Sequence, residues 1–392
     1  MYYKYNYKYN YKYKRNQNET CICQNKHGYT YRYRIYPNEK QKKMMAKIFL
    51  SKRFIYNFFL EKAIKKRYAG KAENIKYLKD ILINKYKILK EIEMMILENA
   101  ISDLDLSFNR CYKGLSKTPK LKREYGTQSY RLNFENNNIK VVNGYIKLSN
   151  LGYVKAKIHR VFNNEKIIYA TIKKITNNNY FVNITIIKDF TDLKINNYLH
   201  ETVGIDLGVH TCITESNNNK TTMPIEKIKS LEKSCNFLRK KLDRMVYGSK
   251  NYSKIVDKID KKYLKIRNIK DDFLNKQSTR LIKENKLIAI ENLDILKMYQ
   301  NKDVAPYLKR ISLSELVTKL DYKSKWYGRE LRKIDRYYAS SQICSNCNYI
   351  NKEVKNLNIR TWECPNCHTI HDRDVNAAIN ILKNGLSLKK GN

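Results

Sequence analysis

The sequence predicts an α+β multidomain protein. An antiparallel, barrel-like β unit with two helices inserted after its first strand precedes an α/β core that a cysteine-rich module interrupts. Three observations predict this. Alternating apolar and polar residues recur between residues 128 and 188. Strand-like runs that carry or end in acids occur at "TVGIDLGVHTCIT" (202–214) and "LIAIENLDI" (287–295). Cys344, Cys347, Cys364 and Cys367 form two pairs at metal-ligand spacing. At 392 residues the chain is also too long for one ordinary core.

Each element follows in order. "YYKYNYKYNYKYK" (2–14) is a low-complexity repeat, read as part of a disordered basic leader over residues 1–28. "YTYRYRIY" (29–36) is a strand closed by Pro37. Met44, Ile48, Ile55 and Phe58 recur near helical period, with Gly70 as the stop. A second helix runs from about Asn74 to Tyr112, with a break, and ends near Gly114. Asn143-Gly144 between alternating segments signals a hairpin. "YVKAKIHRVF", "IIYATIKKI" and "YFVNITII" continue the pattern, with a turn at 177–179. The β unit is thus placed at 29–40 and 115–198, and its helical insert at 41–114. Residues 225–285 read as a helical hairpin. Leu231, Cys235, Leu238, Leu242 and Met245 face Ile255, Ile259, Tyr263 and Ile266 across "YGSKN" (247–251).

Composition bounds the partners. The chain carries 79 Lys+Arg against 37 Asp+Glu, a net charge of +42 that attracts polyanions, nucleic acid above all. No run of eighteen apolar residues and no signal-peptide pattern is present, so a soluble, cytoplasmic protein with no membrane partner is expected. Nine cysteines, an odd number scattered along the chain, argue against a disulfide framework. In "KTPKLKREYGTQSYR", Lys120, Lys122, Arg123 and Arg131 interleave with Tyr125 and Tyr130. Cations for phosphates and rings for bases make this a nucleic-acid-binding surface by composition.

The acids carry the chemistry. Asp206 stands between Gly204 and Gly208 on one strand face, while Val203, Ile205, Leu207 and Val209 take the other. An acid there needs a cation, a hydrogen-bond network or a metal, and the glycines leave room for a phosphate to approach. Glu291 ends a continuous apolar run, as an acid at the C-terminal end of a central strand does; Asp294 is read as a solvent-facing neighbour. Val375, Ala378, Ile379 and Leu382 stripe a helix beginning near Arg373, with Asp372 at the N-cap and Asp374 in the first turn. Spacing alone does not separate those two. Strand Asp, later strand Glu and helix-borne Asp together suggest a ribonuclease-H-like core. Its three carboxylates hold two Mg²⁺ (or Mn²⁺) ions about 4 Å apart and leave a 5′-phosphate and a 3′-hydroxyl. The four cysteines point to a closed, structural Zn²⁺ site that needs neither His368 nor His371.

With these segments in place, the sequence closely resembles the TnpB (OrfB) family of bacterial insertion sequences, compact relatives of type V CRISPR effectors. The resemblance rests on "YRYRIYPNEKQ", "RFIYNFFL", "LGYVKAKIHR", "GIDLGVH", "DFLNKQST", "IAIENLDI", "YKSKWYGRE" and "CPNCHTIHDRDVNAAINIL", in family order. It implies a wedge-type β barrel with a helical recognition insert. A RuvC-like nuclease domain at 199–340 and 371–392 follows, interrupted by a zinc ribbon at 341–370. It implies RNA-guided cleavage of double-stranded target DNA beside a short flanking motif, with a noncoding guide RNA, and with strand transfer left to a separate transposase. The family's RuvC acids fall on Asp206, Glu291 and, in the Asp-x-Asn-Ala-Ala block, Asp374. The segment at 298–317 departs from the family pattern, with Pro306 unusual there. The runner-up reading is a cleavage-inactive RNA-guided DNA-binding repressor.

Overall fold

Period-two alternation builds the first half. In the computed structural model, β1 (Lys26–Tyr36), β2 (Gln128–Asn133), β3 (Ile139–Val142), β4 (Tyr145–Leu148), β5 (Gly152–Lys157), β6 (Lys166–Thr176) and β7 (Asn179–Asp189) form one antiparallel sheet. The structure describes residues 26–388 apart from 66–67, 124–127, 162–164, 177–178, 190–197, 209–210, 295–297, 302–303 and 357. Residues 1–25 of the expected leader, the turn at 177–178 and Val209 lie outside the described residues, while Lys26, His27 and Gly28, also expected in the leader, belong to β1. Strand order is β2-β6-β7-β1-β5-β4-β3, with no pairing between β2 and β3 among the described residues. In hydrogen-bond terms the expected barrel is therefore an open sheet here. Alternate residues Tyr31, Tyr33 and Ile35 of β1 and Val182, Ile184 and Ile186 of β7 are buried, as the pleat requires. The Asn143-Gly144 hairpin forms, Gly144 taking a φ of +75° that favours glycine.

The insert covers this sheet. The Gln41 N–H donates to Asn38 Oδ1 at 2.9 Å and the Asn38 N–H to Gln41 Oε1 at 3.0 Å, a capping box that starts α1 (Glu39–Lys65). The expected second helix is broken further than spacing suggested. A wide π turn occupies Leu78–Leu82, and Tyr86 is extended before a short turn at Lys87–Lys90. Regular helix resumes as α2 (Met94–Tyr112). Phe49 of α1 meets Tyr130 of β2 edge-on at 5.7 Å, joining insert and sheet in one core.

The second half is a mixed sheet of β8 (His200–Asp206), β9 (Ile213–Glu215), β10 (Lys220–Thr221), β11 (Asn285–Glu291) and β12 (Glu330–Ile334). Its order is β10-β9-β8-β11-β12, with β8, β11 and β12 parallel. The expected hairpin forms from α3 (Ile225–Leu242) and α4 (Lys250–Glu284), and Ile228, Cys235, Ile255, Ile259 and Ile266 are buried. Helices α5 (Ala305–Ile311) and α6 (Leu313–Tyr327) follow, and α7 (Arg373–Ser387) ends the described chain. No described helix is long and apolar enough to cross a membrane.

Sheet alternation sends the two faces to different helices. Val203, Ile205, Ile288 and Ile290 share a core with Leu274, Leu281 and Ile282 of α4 and Leu316 and Leu320 of α6. Leu287, Ala289 and Ile334 pack instead with Ile381 of α7. Two glycines set how closely α7 lies. A Cβ on Gly204 would meet Ala378 O at 2.1 Å, and one on Gly385 would meet Ala289 Cβ at 2.5 Å. This corrects the expectation that Gly204 leaves room for a phosphate: the α7 backbone fills that space. At Gly208 a Cβ would meet Thr211 O at 2.6 Å, so this glycine too accommodates the chain's own backbone.

Gly204→Ala should therefore cost about 3 kcal/mol, the upper range for overpacking, because its obstacle is backbone that no rotamer relieves. Chemical denaturation of purified variants checks this, and a variant as stable as the parent would refute the close packing.

Candidate metal centres

Three carboxylates come together by register. The β8–β11 ladder pairs Ile290 with Ile205, and the next residue on each strand is Glu291 and Asp206. Both lie on the face that α7 covers, where Asp374 occupies the first helical turn. Burial raises the Asp206 pKa well above the usual carboxylate range, and the charges of Glu291 and Asp374 raise it further. Burial also raises Glu291, against a hydrogen bond that Ser340 Oγ donates to its Oε1 at 2.5 Å. Asp374 Oδ1 accepts from Arg360 Nη1 at 3.5 Å, and Arg373 lends positive charge to both Asp374 and Asp206.

The neighbouring acids have other duties. Asp372 Oδ1 accepts from the N–H groups of Asp374 and Val375 at 3.1 and 3.0 Å, the cap predicted for it. Burial works against its charge, but the Lys220 ammonium at 2.6 Å and these N–H groups hold its pKa below the usual range. Asp294 pairs with Arg336 at 3.0 Å.

Among the described residues the cysteine quartet brings all its ligand atoms within 4.8 Å of one another. Carboxylates contributed by two strands and a helix are the donor set that can hold a pair of ions about 4 Å apart. An all-oxygen donor set with uncompensated negative charge fits hard cations such as Mg²⁺ or Mn²⁺.

The cysteines fit zinc. Cys344 and Cys367 sulfurs are 3.6 Å apart, and those of Cys347 and Cys364 3.5 Å. A tetrahedron of sulfurs about 2.3 Å from Zn²⁺ has edges of about 3.8 Å. The second knuckle is closed by β13 (Thr361–Glu363) pairing with β14 (Ile370–Asp372), and the first by a bridge between Ile343 and Ile350. Hydrogen bonds from the Thr369 side chain and backbone lower the Cys367 pKa to about 6, whereas burial pushes Cys344 to about 12. His371, expected to stand apart, is buried against Trp362 with Nε2 3.0 Å from Cys344 Sγ. It is an outer partner of the sulfur, the usual companion of a metal ligand.

The proposed nucleic-acid surface survives in part. Lys120, Lys122 and Arg123 are exposed. Lys122 is exposed as a whole, but its Nζ lies 3.7 Å from the centre of the Tyr56 ring, and desolvation there lowers its pKa to about 8. Tyr130 is a correction: it is 0% exposed, packed on Phe49 beneath α1, and its ring cannot stack on a base. Arg131 is half-buried, donates from Nη2 to Asn99 Oδ1 at 3.1 Å and lies over Tyr169. Inward alternation on β2 places Tyr130 in the core, a fact composition did not carry.

Comparison with known proteins assigns the family. Residues 197–302 match the OrfB_IS605 model, described as "Probable transposase". Residues 314–381 match a Cas12f1-like TNB domain, and residues 29–72 match the helix-turn-helix domain of OrfB_IS605. Together these matches span more than half of the chain, in order. The chain belongs to the OrfB (TnpB) family. A Streptomyces pristinaespiralis relative named "Putative RNA-guided DNA endonuclease" is 28% identical over 90% of this chain and 88% of its own length. InsQ of Escherichia coli K12, with the same description, is 24% identical over 76% of each chain. A solved Cas12f1–sgRNA–target DNA complex shares the fold at a TM-score of 0.59 and 16% identity, covering 91% of this chain and 98% of that one. In this OrfB chain the segment called helix-turn-helix is a strand, β1, followed by α1 and, from Lys71, the start of another helix.

Ser340, Arg360, Arg373, Asn376 and Asn380 escaped the sequence reading. One signal was there: Asn376 and Asn380 sit four apart in an apolar helix, a spacing that puts two amides on one buried face.

Two outcomes test the centres. A carboxyl raised on folding favours the fold only while protonated, and above its unfolded pKa of about 3.9 ionisation works against folding. Asp206→Asn should thus raise the melting temperature in EDTA at pH 8 and lose that gain near pH 4. Scanning fluorimetry checks this; a lower melting point at pH 8 contradicts it. Cys364→Ser should drop zinc content, read by mass spectrometry, from one equivalent toward none and destabilise the C-terminal module.

Proposed function

We propose that this protein is an RNA-guided DNA endonuclease whose cleavage site is the carboxylate cluster of Asp206, Glu291 and Asp374. The observation that carries this reading is their convergence from β8, β11 and α7 on one sheet face, in a chain of net charge +42. The architecture is read as a wedge-type β unit, its sheet open between β2 and β3 among the described residues, with a recognition insert, then a RuvC-like nuclease domain with an inserted zinc ribbon.

The residues divide the work by chemistry. Asp206 and Glu291 end adjacent parallel strands, so sheet hydrogen bonding holds their separation without help from loops. Asp374 comes from a helix terminus whose dipole favours its charge. Bound Mg²⁺ would supply the positive charge that lowers the pKa of an attacking water and stabilises the leaving 3′ oxygen. Arg360 and Arg373, beside Asp374, add fixed positive charge where a phosphodiester enters. The excess of Lys and Arg neutralises guide and target backbones and makes binding steeply salt-dependent. The tetrathiolate ribbon has a closed zinc shell and serves structure. Transposition of the element is left to a separate transposase, and the working compartment is the cytoplasm.

The test is direct. Protein expressed with its downstream flanking DNA should copurify with a noncoding RNA and, in Mg²⁺, cut a duplex matching the guide. Asp374→Ala should lower cleavage by more than the roughly 100-fold that losing an outer metal partner costs, while RNA still copurifies. Absence of RNA, or unchanged cleavage by Asp374→Ala, would sink the reading.

A further inference from the structure

A continuous chain of hydrogen bonds joins the cysteine module to the acid cluster. Ser340 stands four residues before Cys344 and donates to Glu291 Oε1 at 2.5 Å. Its own carbonyl accepts from Asn380 Nδ2 at 2.9 Å. The same amide reaches Ile343 O at 2.6 Å, where Asn376 Nδ2 also donates at 2.7 Å. Asn376 Oδ1 accepts from the Ser345 N–H at 2.8 Å. Ile343 and Ser345 flank Cys344, so the first cysteine knuckle is bonded on both sides to α7, the helix that carries Asp374. Both asparagines are 1% exposed, where an unmatched amide is costly and geometry is correspondingly strict.

We propose that Ser340 is a positioning residue for Glu291, held in place by the zinc-closed knuckle through Asn376 and Asn380. The ribbon's integrity thereby sets the geometry of the carboxylate cluster. The asparagines alone would be explained by fastening ribbon to helix. Fastening does not explain the Ser340 hydroxyl, which spends its proton on a carboxylate 49 residues earlier in the chain. A hydroxyl bonded to Oε1 fixes the carboxylate rotamer and leaves Oε2 free for a cation, the role outer partners play at metal sites. The inference rests on the reading that Glu291 is a metal ligand.

Mn²⁺ is the probe, titrated into the full-length protein with binding read from the spin-resonance signal of the free ion. Ser340→Ala should weaken Mn²⁺ binding by about 10- to 100-fold, with zinc content and the melting point in EDTA unchanged. Ser340→Thr, which keeps the hydroxyl, should restore most of the affinity. Asn380→Ala should weaken Mn²⁺ binding although it touches no metal ligand. Glu291→Gln separates the two levels of the reading. If Glu291→Gln loses Mn²⁺ and Ser340→Ala binds it like the parent, the positioning role is wrong and the metal site stands. If Glu291→Gln also binds like the parent, the acid cluster is not the metal site and both readings fall.

Discussion

The α/β half depends on how closely α7 lies on β8. At Gly204 the helix carbonyl of Ala378 occupies the place where any other residue would put its Cβ. Gly385 makes the reciprocal concession from the helix toward Ala289 of β11. Removing two side chains lets a helix settle on a sheet at backbone contact, and the position of everything on that helix follows. Asp374 is brought to Asp206 by this contact, not by any attraction between them.

That arrangement is electrostatically uphill. Burial and two like charges raise the Asp206 pKa, and Glu291 is raised as well. Arg360 and Arg373 offset part of the repulsion around Asp374, and Asp372 is already satisfied by Lys220 and the helix start. A protein with 79 basic residues has many cations available, yet it leaves Asp206 and Glu291 short of them. Sites held in such tension are where ligands do their work, because binding releases what folding stored.

The two candidate centres divide by donor chemistry and share one support. Soft thiolates at tetrahedral spacing suit zinc; hard carboxylate oxygens spread over two strands and a helix suit Mg²⁺. Between them runs α7, capped by Asp372 at the end of β14 and gripping the first knuckle through Asn376 and Asn380. A module that reads as an insertion in sequence is, in the fold, a brace.

Several features were determined by sequence alone. Local chemistry decides them: alternation marks the strands, the Asn143-Gly144 pair marks the hairpin, and cysteine spacing marks the quartet. The Asp372 cap follows from residue type at a helix start. Asp206 and Glu291 stand out because acids at the ends of apolar strands are costly. Only the tertiary structure decided the rest, since each remaining item depends on which element lies opposite. Tyr130 is buried because α1 covers β2, and Gly204 serves a helix rather than a phosphate. Ser340 meets Glu291 across 49 residues of chain, a contact that no local pattern encodes.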